Sequence, residues 1–348
     1  MLVENKKFNN IKIHTQYSIC EGAIKIDDLA ECCKKNKIKA MGLADSFNLC
    51  GALEFSEKLS KAGTQPIIGT QLNLKAFDNS GKITLYAKTE TGYKNLTKLS
   101  SLSYLKTNKL EEPACEINDL INNSKDLILL SGNQRDFFGK LFESNKLKQV
   151  NEVLNVLKKN FEERIYFEIQ RHKEKGEKNF ESYLLNKSKE LDIPLIATQE
   201  VFYLKEEMFE AHDALTCIGK KNFIDDENRV RLSNQHYLKG DAELESLYTD
   251  IPEALENNYN FHLRFSFKPN KSRPILPSIA SNNSNTPEVE ILRQANDGLK
   301  RRLDNFILKK NISQSKEQIK TLYNDRLKHE INIINSMNYA SYFLIVSD

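Results

Sequence analysis

Residues 11–45 read IKIHTQYSICEGAIKIDDLAECCKKNKIKAMGLAD, and this stretch decides the fold class. It opens with a short β-like run at 11–14, passes through an amphipathic helical pattern at 27–37, and ends in a second apolar run at 39–44. Strands that alternate with helices are typical of α/β proteins whose sheet is largely parallel. The stretch therefore predicts a strand, a helix and the next strand of such a sheet.

The same alternation continues as far as residue 204. Short apolar runs read as strands, and helical patterns lie between several of them. Their number suits a closed barrel as well as an open sheet, and in a barrel we expect a site at the ends of the strands. The predicted strands cover 11–14, 39–44, 65–74, 83–87, 127–130, 165–169 and 194–198, and the predicted helices cover 27–37, 52–62, 93–105, 146–160 and 179–191.

Beyond residue 204 the pattern becomes mainly helical. A proline-rich break with serine and asparagine between the prolines interrupts it, and this composition is typical of a linker or an extended arm. The chain ends on the apolar run YFLIV at 342–346, from which we expect that it was cut within a domain. Helices are predicted at 206–218, 242–248, 252–263, 288–306 and 316–337, with the break at 268–287.

The composition favours a globular protein of the cytoplasm. The 348 residues suffice for two domains, and 39% hydrophobic with 28% charged residues argue against a disordered chain. No apolar run approaches the roughly 20 residues that cross a bilayer, and the first residues do not resemble a signal peptide. A net charge of +3 does not by itself indicate nucleic-acid binding. Free thiols are expected at all cysteines, namely Cys20, Cys32, Cys33, Cys50, Cys115 and Cys217.

A series of twelve short segments runs along nearly the whole chain. They are IKIHTQYS at 11–18, EG at 21–22, LADSFNLCG at 43–51, PIIG at 66–69, TGYKNL at 91–96, LLSG at 129–132, YFEIQRH at 166–172, ATQEV at 197–201, AHDAL at 211–215, IPEAL at 251–255, IINSM at 333–337 and YFLIV at 342–346. Any one of them is uninformative, because short apolar runs recur in many proteins. In this order they resemble the bacterial polymerase III alpha family, the C-family polymerases.

The resemblance implies a definite architecture. The expected fold class is α/β, a PHP-type (polymerase-and-histidinol-phosphatase) distorted barrel of seven strands, followed by a mainly helical segment that leads into the polymerase palm. The implied domains are a PHP domain at 1–270, a linker or extended arm at 271–287, and the truncated start of the palm region at 288–348.

The resemblance also implies where a metal cluster would lie. In metal-binding PHP domains, histidines and carboxylates at the strand ends hold two or three divalent metals, which activate water and clamp a phosphoryl oxygen. In this chain the positions that match those ligands are Lys12, His14, Glu21, Ser46, Gln71, Lys82, Asn133, Glu200 and Phe202.

These positions predict a degenerate site that holds no metal. Only His14, Glu21 and Glu200 keep side chains that bind divalent metals. The ammonium of Lys12 repels a nearby cation, and Phe202 fills ligand space with carbon. We therefore expect the three retained residues to be tied into a hydrogen-bond or ion-pair network with Lys12.

Other polar residues are expected to be structural. Glu168 and His172 lie four residues apart on and just after a strand. His212 and Asp213 begin a helical pattern, where a carboxylate interacts favourably with the helix dipole. Basic residues on a later helical pattern are expected to form a solvated face, and these are Arg293, Lys300, Arg301 and Arg302.

The function implied by the resemblance is that of a DNA-directed DNA polymerase of chromosomal replication. Its reaction uses two magnesium ions, held by carboxylates, to activate the primer hydroxyl. No position that matches the palm aspartates lies in 1–348, so this chain is expected to carry no catalytic residue and no cofactor. Two alternatives remain: an error-prone paralogue of the same family, and a stand-alone PHP phosphoesterase, against which the missing ligands speak.

The resemblance implies partners as well. A proofreading 3′–5′ exonuclease subunit would dock on the PHP domain, while primer-template DNA and the sliding clamp would bind through further domains. No membrane partner is expected. The aromatic pairs Phe137-Phe138 and Phe202-Tyr203 are candidates for the centre of the exonuclease surface, since aromatic anchors dominate such interfaces. The alternative, which is the more common situation for any single aromatic side chain, is that it belongs to the core.

Overall fold

The computed structural model describes residues 7–108, 111–272, 286–308 and 315–347. The chain forms two compact units, Met1–Lys271 and Ser272–Asp348. Most of the linker expected from the sequence, at 273–285, lies outside the described residues.

The first unit, as far as it is described, is built on one sheet of nine strands. The strands are β1 (Asn10–Ile13), β2 (Ala40–Leu43), β3 (Gln65–Ala76), β4 (Asn79–Ala87), β5 (Ala114–Glu116), β6 (Leu127–Leu130), β7 (Ile165–Ile169), β8 (Leu195–Ala197) and β9 (Glu200–Val201). Their order is β8-β7-β6-β4-β3-β2-β1-β9, with β5 paired to β3. β8 and β9 lie at opposite ends of this order although only Thr198 and Gln199 separate them in the chain. Such a link spans about 11 Å at most, so the sheet curls until its two edge strands lie side by side.

All seven predicted strands are present, which confirms the α/β prediction, but the sheet is less uniformly parallel than expected. β4 runs antiparallel to both β3 and β6. The reason is the link at Phe77 and Asp78, because a two-residue connection joins antiparallel neighbours whereas a parallel pair needs a long crossover. The two additional strands, β5 and β9, have three and two residues, which is too short for a recognisable alternation of side chains.

Helices of the first unit bury one apolar stripe each. In the helix at Leu147–Phe161, for example, Val150, Leu154, Leu157 and Phe161 repeat at the spacing of one helix face and are buried. The helical patterns predicted from the sequence are confirmed, and two further helices of six and seven residues were too short to predict. The helices are α1 (Ile26–Asn36), α2 (Ala52–Lys61), α3 (Glu90–Leu105), α4 (Ile117–Asn122), α5 (Phe137–Glu143), α6 (Leu147–Phe161), α7 (Glu177–Leu191), α8 (Phe209–Lys220), α9 (Asp241–Leu247) and α10 (Pro252–Phe261).

The four aromatic residues proposed as docking anchors lie in the interior. Phe137 and Phe138 begin α5 with 1% of their surface exposed, and their rings meet edge to face at 5.2 Å. Phe202 is 7% exposed and Tyr203 is fully buried. The hypothesis that these residues form the centre of a partner surface is therefore wrong, because rings buried in a core cannot contact a partner.

The second unit is helical in the residues described. It contains α11 (Pro287–Arg302), which continues into a π-helical turn at Leu303–Ile307, then α12 (Lys316–Ser336) and α13 (Ala340–Ser347). Ser315 starts α12 with a capping box, in which the Ser315 hydroxyl accepts from the N–H of Gln318 and the Gln318 side chain accepts from the N–H of Ser315. A small apolar cluster joins the three helices. Among the described residues, no helix has the length and apolar character needed to cross a membrane.

Candidate functional site

The site residues predicted from the sequence converge at one end of the barrel, where the parallel strands have their carboxyl ends. Lys12 lies in β1 beside Glu200 of β9, and His14 directly follows β1. Ser46, which follows β2, is paired with Gln71 of β3. The carboxyl ends of parallel strands all lie at the same end of a barrel. Since β4 is antiparallel, its amino-terminal half lies at that same end of the barrel. It places Lys82 beside Glu21 and Ser46.

The ammonium of Lys12 is the centre of the buried part of this site. Its Nζ lies 3.3 Å from Glu168 Oε2, 3.5 Å from Asp136 Oδ2 and 3.5 Å from Glu200 Oε1, and its side chain has no exposed surface. Burial by itself lowers the pKa of the Lys12 ammonium, but attraction to the three carboxylates outweighs it and raises the pKa. Lys12 therefore stays charged in the interior.

The Glu200 carboxylate is held by donors on every side. Its Oε1 accepts from Gln71 Nε2 at 2.8 Å and lies 3.0 Å from His14 Nε2, while its Oε2 accepts from Asn133 Nδ2 at 3.1 Å. Burial opposes ionisation, yet Lys12 and His14 hold the pKa of Glu200 well below its usual range. All of these partners come from matched ligand positions, so the lone pairs that a metal would use are already occupied by protein donors.

Asp136 is the third carboxylate beside Lys12, and its burial opposes ionisation. Burial raises the pKa of its carboxyl to about 6, and Glu200 adds to this effect whereas the Lys12 ammonium opposes it. Three carboxylates thus face one ammonium, and one of them ionises with difficulty. Asp136 was not identified from the sequence; its place six residues after the end of β6, in a loop at the strand ends, is the signal that could have found it.

Glu21 belongs to a separate, outer pair. Its carboxylate accepts from Lys82 Nζ at 2.9 and 3.0 Å and from Ser46 Oγ, and its backbone carbonyl accepts from His212 Nε2 at 2.7 Å. Although burial opposes it, the attraction of Lys82 lowers the pKa of Glu21. The prediction of a network with Lys12 thus describes the contacts of His14 and Glu200, while Glu21 has its own cation.

Phe202 lies within a group of imidazole rings. Its ring stacks on His14 with the ring centres 4.5 Å apart, on His212 at 5.5 Å, and packs against His236 at 5.4 Å. His236 in turn stacks on His172 at 4.0 Å. Four buried histidines therefore surround or adjoin one apolar ring. The sequence offers no local signal for His236, which lies 34 residues beyond Phe202.

These side chains do not fit the metal cluster that the resemblance implies. An ammonium lies among the carboxylates, the oxygens of Glu200 face protein donors, and a benzyl ring fills the space between the histidines. Among the residues that the structure describes, no group of three or more histidine, cysteine or acidic side chains has an arrangement that could hold a metal ion. No chemical step can be derived through such a cluster here.

Of the other polar residues singled out from the sequence, Asp213 has a different partner from the one expected, whereas Arg293 lies on a solvated face as predicted. Asp213 lies in the second turn of α8 and is held by Arg229 through two hydrogen bonds of 2.6 Å, which lower the pKa of its carboxyl. An ion pair, not the helix dipole, therefore determines its environment. Arg293 pairs along its own helix with Glu290 and Asp297, as residues of a solvated face do.

Comparison with known proteins places these features in a family. The family model "PHP domain" matches residues 10–172, and "Bacterial DNA polymerase III alpha NTPase domain" matches 290–348. The chain is 35% identical over 99% of its length to "DNA polymerase III subunit alpha" of Caulobacter vibrioides and 37% identical over 98% to that of Rickettsia conorii. It spans 30% and 29% of the length of these relatives.

A solved structure described as a putative metal-dependent phosphoesterase from Bifidobacterium adolescentis overlaps 55% of this chain and 86% of its own, with 12% identity and a TM-score of 0.40. The family assignment rests on the sequence matches. The (β/α) barrel of the first unit is of the PHP type, and the chain belongs to the bacterial DNA polymerase III alpha-subunit family.

Proposed function

We propose that this chain is the N-terminal part of a DNA-directed DNA polymerase that replicates the chromosome. The observation that carries the proposal is that relatives named DNA polymerase III subunit alpha match 98–99% of the chain at 35–37% identity. The parent reaction is nucleotidyl transfer, for which two magnesium ions supply the charge stabilisation. Under this proposal the catalytic carboxylates lie outside residues 1–348, and primer-template DNA and the sliding clamp bind to further domains. The protein acts in the cytoplasm.

We further propose a division of this chain into a PHP domain at 1–270, a connecting arm at 271–287 and the first helices of the palm region at 288–348. The PHP domain acts as a brace and a docking module and not as a second enzyme. The site geometry supports this role, because Lys12 and Phe202, at positions that the resemblance matches to ligands, pair with carboxylates and stack on a histidine instead. The same geometry disfavours a stand-alone phosphoesterase, and the matched relatives disfavour an error-prone paralogue.

The partner that we propose for the PHP domain is the proofreading exonuclease subunit. Since the aromatic candidates of the sequence are buried, the surface has to come from other residues. Ile19 and Ile218 are 82% and 72% exposed. Their chain neighbours Cys20 and Gly219 are in close contact, so the two isoleucines lie near each other. Phe223, which is 84% exposed, follows in the loop after α8. Exposed apolar side chains of this kind are the usual anchors of a protein interface.

Titration of a labelled C-terminal region of the cognate exonuclease against the chain tests this proposal. We expect binding at tens of micromolar or tighter, and at least about a tenfold loss for Phe223→Ser or Ile218→Ser, since each truncates an anchor. The matched control is Leu263→Ser, which removes a side chain that is 71% exposed. Leu263 follows His262, whose carbonyl accepts from Gln65 at the start of β3. Absence of binding to the folded chain would leave the domain as a brace alone.

A further inference from the structure

The contacts of Lys12 join elements that are distant in sequence. Lys12 lies in β1, whereas Asp136 precedes α5, Glu168 lies in β7 and Glu200 in β9. β7 and β9 are near opposite ends of the strand order. One ammonium therefore connects the two edges that the curled sheet brings together.

The three carboxylates repel one another, and their other close partners are mainly neutral donors such as Gln71 and Asn133. Lys12 approaches all three within 3.5 Å, and the Glu168 and Lys12 side chains have no exposed surface. Among the described residues, Lys12 is the one whose ammonium pairs with all three carboxylates. Charges buried in this way interact much more strongly than charges in water, so removal of this shared cation is costly. In metal proteins a divalent ion fulfils this role by binding carboxylates from several strands. Here the cation is covalently attached.

We propose that the Lys12 ammonium is the permanent counter-cation of this barrel end and takes over the structural work of a metal ion, so that loss of its side chain makes the fold dependent on an added cation. Phe202 completes the replacement, because its ring packs against His14, His212 and His236, which then need no metal to keep them in place. The inference depends only on these contacts and not on the proposed polymerase function.

Lys12→Ala provides the test, since it removes three carbons and the ammonium, a group that n-propylammonium reproduces atom for atom. We expect the melting temperature of the variant to fall by about 10 °C and to recover at least half of that loss in millimolar n-propylammonium. Propan-1-ol, which has the same shape without the charge, should not restore it. The melting temperature of the unaltered chain should respond neither to n-propylammonium nor to EDTA.

The matched control is Lys82→Ala. Lys82 also pairs with a carboxylate, Glu21, but its side chain is 23% exposed at the rim. Its loss should shift the melting temperature by a few degrees at most and should not be reversed by n-propylammonium. Equal recovery with propan-1-ol, no recovery of a folded Lys12→Ala chain, or a lower melting temperature of the unaltered chain in EDTA would overturn the proposal.

A second pair of variants keeps the test decisive if Lys12→Ala does not fold. Lys12→Met removes the charge of Lys12 and keeps most of its volume, so it leaves three carboxylates without their ammonium. The double variant Lys12→Met, Glu168→Gln also removes one of these carboxylates. Glu168 Oε1 accepts from Gln170 and Thr198, and the oxygen of a glutamine can retain those bonds. The double variant should melt above Lys12→Met alone. A lower melting temperature of the double variant would show that Lys12 does not act as a counter-cation.

Discussion

Phe138→Ala is expected to lower the free energy of unfolding by about 4 kcal/mol. The ring of Phe138 is 1% exposed and belongs to the main apolar cluster of the first unit. Truncation of such a ring removes the transfer free energy of its carbons, leaves a cavity, and costs about 3–5 kcal/mol. It also removes the edge-to-face contact with Phe137 at 5.2 Å, and such contacts contribute about 0.5–1.5 kcal/mol.

The value should lie in the upper part of this range because α5 cannot move to close the cavity. A Cβ added to Gly81 of β4 would lie 2.6 Å from the Cα of Phe137, and one added to Gly139 would lie 2.3 Å from the backbone of Gln134. The backbone of α5 is thus in close contact with β4 and with the preceding loop. Where neighbouring backbone cannot relax, a cavity keeps its full volume and its cost.

Urea unfolding of the chain, followed by circular dichroism and tyrosine fluorescence, measures the change. Phe223→Ala is the matched control, because its ring is 84% exposed and its truncation should change the free energy of unfolding by less than about 0.5 kcal/mol. A loss below about 1 kcal/mol for Phe138→Ala would refute the core assignment. So would weaker exonuclease binding at unchanged stability, since that result would make Phe138 a surface anchor after all.

Three further outcomes are expected. After dialysis against micromolar zinc and manganese the chain should hold no stoichiometric metal by elemental analysis, and two or more tightly held ions per chain would contradict the degenerate-site prediction. A primed-template assay with magnesium and four nucleotides should show no extension; extension that survives repurification would mean that the catalytic carboxylates lie within 1–348. Burial lowers the pKa of Lys239 from 10.5 to about 8, so the unfolded chain binds more protons between these values and stability should rise with pH there. Lys239→Met should therefore raise the free energy of unfolding at pH 7 by roughly 1–3 kcal/mol and flatten that rise, and an unchanged pH profile would show that Lys239 is not the cause.

Local pattern was sufficient for most of the secondary structure. Strands such as β6 and helices such as α6 carry enough apolar residues at a constant spacing to be recognised without tertiary information. The sequence pattern does not indicate the antiparallel direction of β4, because direction depends on the length of the connection. The turn at Phe77-Asp78 lies within residues 75–82, between the two predicted strands. Pattern also could not choose between a barrel and an open sheet. That choice depends on tertiary pairing: β8 pairs with β7 at one side of the sheet, and β9, two residues later, pairs with β1 at the other side.

The sequence by itself determined which chemical groups the site can contain. The ammonium of Lys12 and the phenyl ring of Phe202 do not bind metals in any position of the fold. Only the tertiary structure decided what these groups do. Lys12 and Glu168 are 156 residues apart in the chain, and His14 and Glu200 are 186 apart, so no local pattern indicates that they meet. Burial is likewise a property of the fold, since it depends on which elements pack over a side chain. For that reason the aromatic pairs of the sequence proved to be core, and the exposed apolar residues lie elsewhere.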